Sequence, residues 1–88
     1  MFDGRHCTQK DLDLLVRKTK EIIFSISNGD LSNLDVYFSF IARFDKDIEA
    51  TLRSQIRSAK DNASIIQIIN RNINELKQNI IVDINEHY

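Results

Sequence analysis

Apolar residues recur at every third or fourth position along most of this 88-residue chain, and that period sets the expected architecture. Over 9–27 they fall at Leu12, Leu15, Val16, Ile22, Ile23 and Ile26, and Thr19 completes an i, i+3, i+4, i+7 stripe. Strand alternation fails over the same window, because Leu14-Leu15-Val16 and Ile22-Ile23-Phe24 are contiguous. The spacing predicts a first helix over 9–27. Thr8 stands where a side-chain oxygen can accept from an orphan amide, and Asp11 and Asp13 suit the positive end of the helix dipole.

The stretch Asn28-Gly29-Asp30 ends that pattern. Glycine adopts the left-handed conformation of a helix C-terminus without steric cost, and Asp30 is expected to cap a second helix that starts at once with Leu31 and Leu34. So short a connection forces the two helices to run antiparallel. The second stripe continues through Tyr37, Phe38, Ile41, Phe44, Ile48, Leu52 and Ile56. No glycine or proline follows Gly29, so the next corner is less clearly marked. Ala59-Lys60-Asp61-Asn62 and Asp45-Lys46-Asp47 are the two candidates. The first is preferred because it gives helices of more nearly matched length, and an unbroken helix that pairs with another chain is the third possibility. A third helix follows over 62–85, with a stripe at Ala63, Ile66, Ile69, Ile73, Leu76, Ile80 and Ile84. A strand is the lesser reading of "SIIQIIN" and "NIIVDI", since short apolar runs are ambiguous. The expected fold is all-α: an antiparallel three-helix bundle, with a helical hairpin over 9–58 and a third helix over 62–85, as a monomer or a dimer. Residues 1–7 show no periodicity and read as a loose arm.

Composition narrows the function classes. At this length the chain is a single domain with one modest core. Its formal charge of −1 supplies no global field toward nucleic acid or anionic lipid. No apolar run approaches the roughly 18 residues of a membrane span. Cys7 is the one cysteine, so an intramolecular disulfide is impossible, and Met1–His6 lacks the basic-then-apolar pattern of a signal peptide. Both features point to the cytoplasm.

Candidate chemistry is sparse. His6-Cys7 is an adjacent pair, not a metal-ligand spacing, and His87 stands at the opposite end of the chain. Asp45, Asp47 and Glu49 are interleaved with Lys46 and preceded by Arg43, a pattern of helix-surface pairing more than of acid–base work. No glycine-rich phosphate loop or nucleophile turn is present. Arg53, Arg57 and Lys60 share one helical face, and Arg17, Lys18 and Lys20 form a second basic group. Asp13, Glu21, Glu49 and Asp61 lie within reach of them, so solvated, salt-bridged faces are expected in place of a nucleic-acid surface. Nothing here points to an enzyme, a metal or a cofactor.

The apolar residues exceed what one stripe per helix needs. Leu14 and Phe24 are extra in the first helix and Tyr37 and Phe40 in the second. Ile65, Ile68, Ile81 and Val82 are extra in the third. Large apolar patches left outside a core mark partner surfaces. Tyr37, Phe40, Ile65, Ile68, Ile81 and Val82 are therefore the candidate partner-binding residues. The expected partner is a second copy of the chain, giving a homodimer, or a helical segment of a client protein laid into an apolar groove.

The segment "LDLLVRKTKEIIFSISNGDLSNLDVYFSFIARFDKDI", with its Gly29-Asp30-Leu31 corner and Leu34, resembles the first hairpin of the FliT-type flagellar export chaperones. "IIQIINRNINELKQNI", Ile65 to Ile80, is similar to the third helix of that family, and the resemblance as a whole extends over about 75 residues. The resemblance implies a cytoplasmic chaperone that binds a helical segment of a secreted subunit, keeps it unassembled and hands it to an export apparatus. Two other classes fit the same pattern of residues. One is a small dimeric regulator or immunity-type protein that binds a toxin or nucleic acid. The other is a structural coiled-coil subunit.

Overall fold

A computed structural model of the chain describes residues 7–86, which form four helices and no strand. They are α1 (Gln9–Ser27), α2 (Leu34–Ala42), α3 (Lys46–Arg57) and α4 (Asn62–Glu86). The first helix has the expected bounds. Thr8 Oγ accepts from the Asp11 amide at 3.3 Å, and the Asp11 carboxylate accepts from the Thr8 amide at 2.9 Å. This reciprocal box satisfies amides that the first turn otherwise leaves open. At the other end Gly29 has φ of +80°, its amide donates to Ile26 O at 2.9 Å, and the Asp30 amide donates to Ser25 O at 2.9 Å. These two bonds form a Schellman closure, with glycine at the left-handed position.

Two expectations about the second helix are corrected. Asp30 does not cap it. The Asp30 carboxylate accepts from the Ser32 hydroxyl at 2.6 Å and the Ser32 amide at 3.0 Å, and the chain makes a further turn before α2 begins at Leu34. The expected hairpin partner over 31–58 is also two helices, so the bundle has four helices and not three. The Arg43 and Phe44 amides donate to Phe40 O and Ile41 O, tightening the end of α2. Asp45 is extended, and its carboxylate accepts from the amides of Asp47 at 2.9 Å and Ile48 at 3.2 Å, which starts α3. Folding back at Asp45 lays α3 against both α2 and α4 and buries Ile48 and Leu52. The other candidate corner is used as well, since the Asp61 carboxylate accepts from the Ser64 amide at 2.8 Å and caps α4.

The helices alternate in direction and pack in a ring, α1 on α2, α2 on α3, α3 on α4 and α4 on α1. Long-range bonds fix this order. Thr19 Oγ and Tyr37 Oη lie 2.8 Å apart between α1 and α2. Asn72 Nδ2 donates to Gln55 Oε1 at 2.9 Å between α4 and α3, and the Cys7 amide donates to Asp83 Oδ2 at 2.7 Å, tying the start of α1 to the end of α4. The result is a rod of 41 × 21 × 19 Å. Its core is built from Leu15, Ile22 and Ile26 of α1, Phe38 and Ile41 of α2, Leu52 of α3, and Ile69, Ile73, Leu76 and Ile80 of α4.

The expected stripe of α4 is buried at Ile69, Ile73, Leu76 and Ile80 and departs from expectation at the start of the helix and at Asn72. Ala63 is exposed and Ile66 half-buried, while Ile65 and Asn72 are buried. Because α4 packs on both α1 and α3, its covered arc is wider than a one-sided stripe. The expected loose arm over 1–7 falls, for residues 1–6, outside the described residues. Cys7 itself is buried against the core. No helix among the described residues is long and apolar enough to cross a membrane.

Candidate functional site: the α1–α2 groove

Of the four seams in the ring, the one between α1 and α2 is the least closed. The reason lies in the side chains that face it. On α1, one flank of the core stripe presents Lys18, Glu21 and Ser25; on α2, Val36, Ser39 and Arg43 face them. Two serines are too short to meet across a helix–helix gap, and the charged heads turn to water. A groove of about 500 Å³ remains, within the range of ligand-binding clefts. Ile22, Tyr37 and Phe40 line its apolar wall. A second, smaller recess continues past Phe40 toward Asp11, Leu14 and Phe44. From Asp11 to Ser25 the seam follows α1 for about 20 Å, the length of a helix of some four turns.

The composition of α2 sharpens the picture. Seven of its nine residues are apolar, with only Asp35 and Ser39 polar. Asp35 and Ser39 lie one turn apart and mark a single polar face, while the apolar remainder of such a helix is normally enclosed. Here α3 covers one side, where the Arg53 guanidinium lies 4.8 Å over the Phe38 ring. Phe40 packs edge-on against Phe44, with ring centroids 5.2 Å apart. Toward the groove, Val36 stays 71% exposed. Beneath it, burial pushes the Tyr37 phenol above the ordinary tyrosine range, and the Thr19 bond opposes that rise only in part.

The expected partner-binding residues separate into three groups. Tyr37 and Phe40 are brought together in the groove, Tyr37 as a 4% exposed floor residue and Phe40 as a half-buried wall. Ile65 is buried, and Ile68 is half-buried against the core, so neither is a free apolar patch. Ile81 and Val82 are exposed, but on different flanks of the far end of α4, and neither lines the groove. Ile22 was expected only as a core position of α1, and Ser25, Val36 and Ser39 were not singled out by the pattern of residues. The available signal was the run Val36–Ala42, apolar but for Ser39, opposite a flank of α1 that carries small or charged side chains.

One cation on each basic face is paired. Arg53 Nε donates to Glu49 Oε1 at 2.8 Å, its guanidinium lies 3.8 Å from Asp35, and Lys18 pairs with Glu21 at 3.8 Å. Among the described residues no three His, Cys, Asp or Glu side chains converge to hold a metal ion. The acidic cluster serves local structure, with Asp45 capping α3 and Glu49 holding Arg53. No family model, curated protein or solved structure matches the chain.

Proposed function

We propose that this is a non-catalytic interaction protein that holds an amphipathic helix of another protein in the α1–α2 groove. The observation that carries the reading is the open seam beside α2, where Ile22, Tyr37 and Phe40 form an apolar wall and Val36 at its edge is 71% exposed. A docked helix would complete the enclosure, stabilised by about 25 cal/mol for each Å² of apolar surface removed from water, with no covalent step. The resemblance to FliT-type chaperones supplies the setting. The bound helix belongs to a secreted, flagellar-type subunit, and the protein keeps it unassembled in the cytoplasm until export.

The test places a photo-crosslinking amino acid at Val36 and, as a control, at Phe24, which is 72% exposed on the side of α1 away from the core. In cells, position 36 should crosslink to one heterologous protein through an amphipathic segment, and position 24 should not. Val36→Asp should abolish capture while leaving the circular dichroism melt unchanged. Crosslinks from position 36 only to further copies of the chain would replace the client by a homodimer. Equal labelling from both positions would remove the groove as a site.

A further inference from the structure

The ionic groups along the seam are unequal in their engagement, and that asymmetry describes the occupant. Lys18 and Glu21 neutralise one another across one turn of α1. Asp11, in the adjoining recess, is held by Thr8, whose amide and hydroxyl lie 2.9 and 3.2 Å from its Oδ2. Arg43 is different. It lines both the groove and the recess, it is exposed, and its guanidinium has no ion pair or hydrogen bond among the described residues. It stands at the end of α2, seven residues and two helical turns from Val36.

We infer that the groove selects an amphipathic helix carrying an aliphatic anchor over Val36 and, about seven residues away, a carboxylate that pairs with Arg43. The inference rests on the groove being a helix-binding site and adds the charge and register of its occupant. A guanidinium offers a planar fork of donors that matches a carboxylate in two parallel bonds. Flanked by Phe40 and covered by a docked helix, the pair would lie in a drier setting than an ordinary surface ion pair. Ser25 and Ser39 let the incoming backbone approach closely, so the register is set at the two ends of the seam, by the apolar contact at Val36 and the charge at Arg43.

The experiment displays a library of helical peptides of about 18 residues with a fixed leucine face and flanking positions varied among Glu, Gln and Lys. Selection is run in parallel on the native chain, on Arg43→Glu and on Arg43→Gln, each first shown to melt like the native protein. Clones from the native chain should be enriched about tenfold in Glu two turns from the anchor, the enrichment expected of a charge-assisted hydrogen bond. Arg43→Glu should turn the preference to Lys, Arg43→Gln should erase it, and all selected clones should lose binding on Val36→Asp. If the same residues are selected on all three proteins while Val36 is still required, the charge inference fails and the groove reading stands. If binders ignore Val36→Asp, or none emerge, the groove reading fails with it.

Discussion

Replacing the Tyr37 hydroxyl tests the packing beneath the groove directly. Tyr37 Oη and Thr19 Oγ lie 2.8 Å apart, and the two residues are 4% and 7% exposed, so water cannot take the place of either partner. Tyr37→Phe leaves the Thr19 hydroxyl without its partner. A threonine within a helix can turn back to the carbonyl four residues earlier, which limits the loss to about 1 kcal/mol. Thr19→Val strands the phenol instead. A buried unsatisfied hydroxyl costs about 1–3 kcal/mol, offset by up to ~0.8 kcal/mol for the added buried methyl. Removing both hydroxyls together should be nearly neutral, so a double-mutant cycle should return a coupling of about 1–3 kcal/mol. Each kcal/mol lowers the Tm of a domain of this size by about 4–8 °C, and urea titrations followed by far-UV circular dichroism resolve such steps. Burial raises the Tyr37 pKa in the folded state, so its stabilising contribution is complete below the unfolded value of about 10 and is lost as pH rises toward the folded one. The native protein should therefore lose stability more steeply above pH ~10 than Tyr37→Phe does. Additive single substitutions within about 0.3 kcal/mol would refute the shared bond, and identical alkaline slopes would refute the burial of the phenol.

Three further outcomes follow from the corners. Gly29→Ala should cost about 1 kcal/mol in urea titration, since φ is +80° there although open space surrounds the position, and Gly29→Asn should cost less. Asp45→Ala removes a carboxylate that accepts from two amides at the start of α3; a loss of about 1 kcal/mol is expected, with amide exchange accelerated first in α3. The Ser64 amide bond, with the Ser64 side chain second, holds the Asp61 carboxyl below the ordinary aspartate range. Its contribution is present above the unfolded pKa and lost as pH falls through the folded one, so the first turn of α4 should fray in acid, and Asp61→Asn should show less of this pH dependence when the Ser64 amide is followed by NMR.

The helix ends show how far local chemistry reaches. Thr8, Gly29 and Asp61 act at helix ends as their residue types lead one to expect, because capping involves only a few successive residues. Asp30 has the right chemistry for a cap, but its carboxylate engages the nearby Ser32 first. Asp45 looked like the weaker of two corners and is a full one. Whether a helix continues past it depends on what the far half would pack against, and no local pattern contains that information.

The groove was legible only in part. A surplus of apolar residues could be counted along the chain, and Tyr37 and Phe40 lie in the groove that uses it. Ile65 and Ile68 looked equally spare, but packing on two neighbours at once draws Ile65 into the core and Ile68 half into it. Conversely Val36 and Ser39 acquire significance only from the flank of α1 opposite them.

Taken alone, the order of residues determined that the chain is helical, where α1 begins and ends, where α4 begins, and that it has more apolar side chains than one stripe per helix consumes. Those properties follow from periodicity and capping, which act within a turn or two of the backbone. Tertiary structure decided that there are four helices, which apolar residues are enclosed, and that the α1–α2 seam stays open. Each of these depends on which helices lie beside one another and on which side chains meet across a gap, and such contacts join residues far apart in the chain.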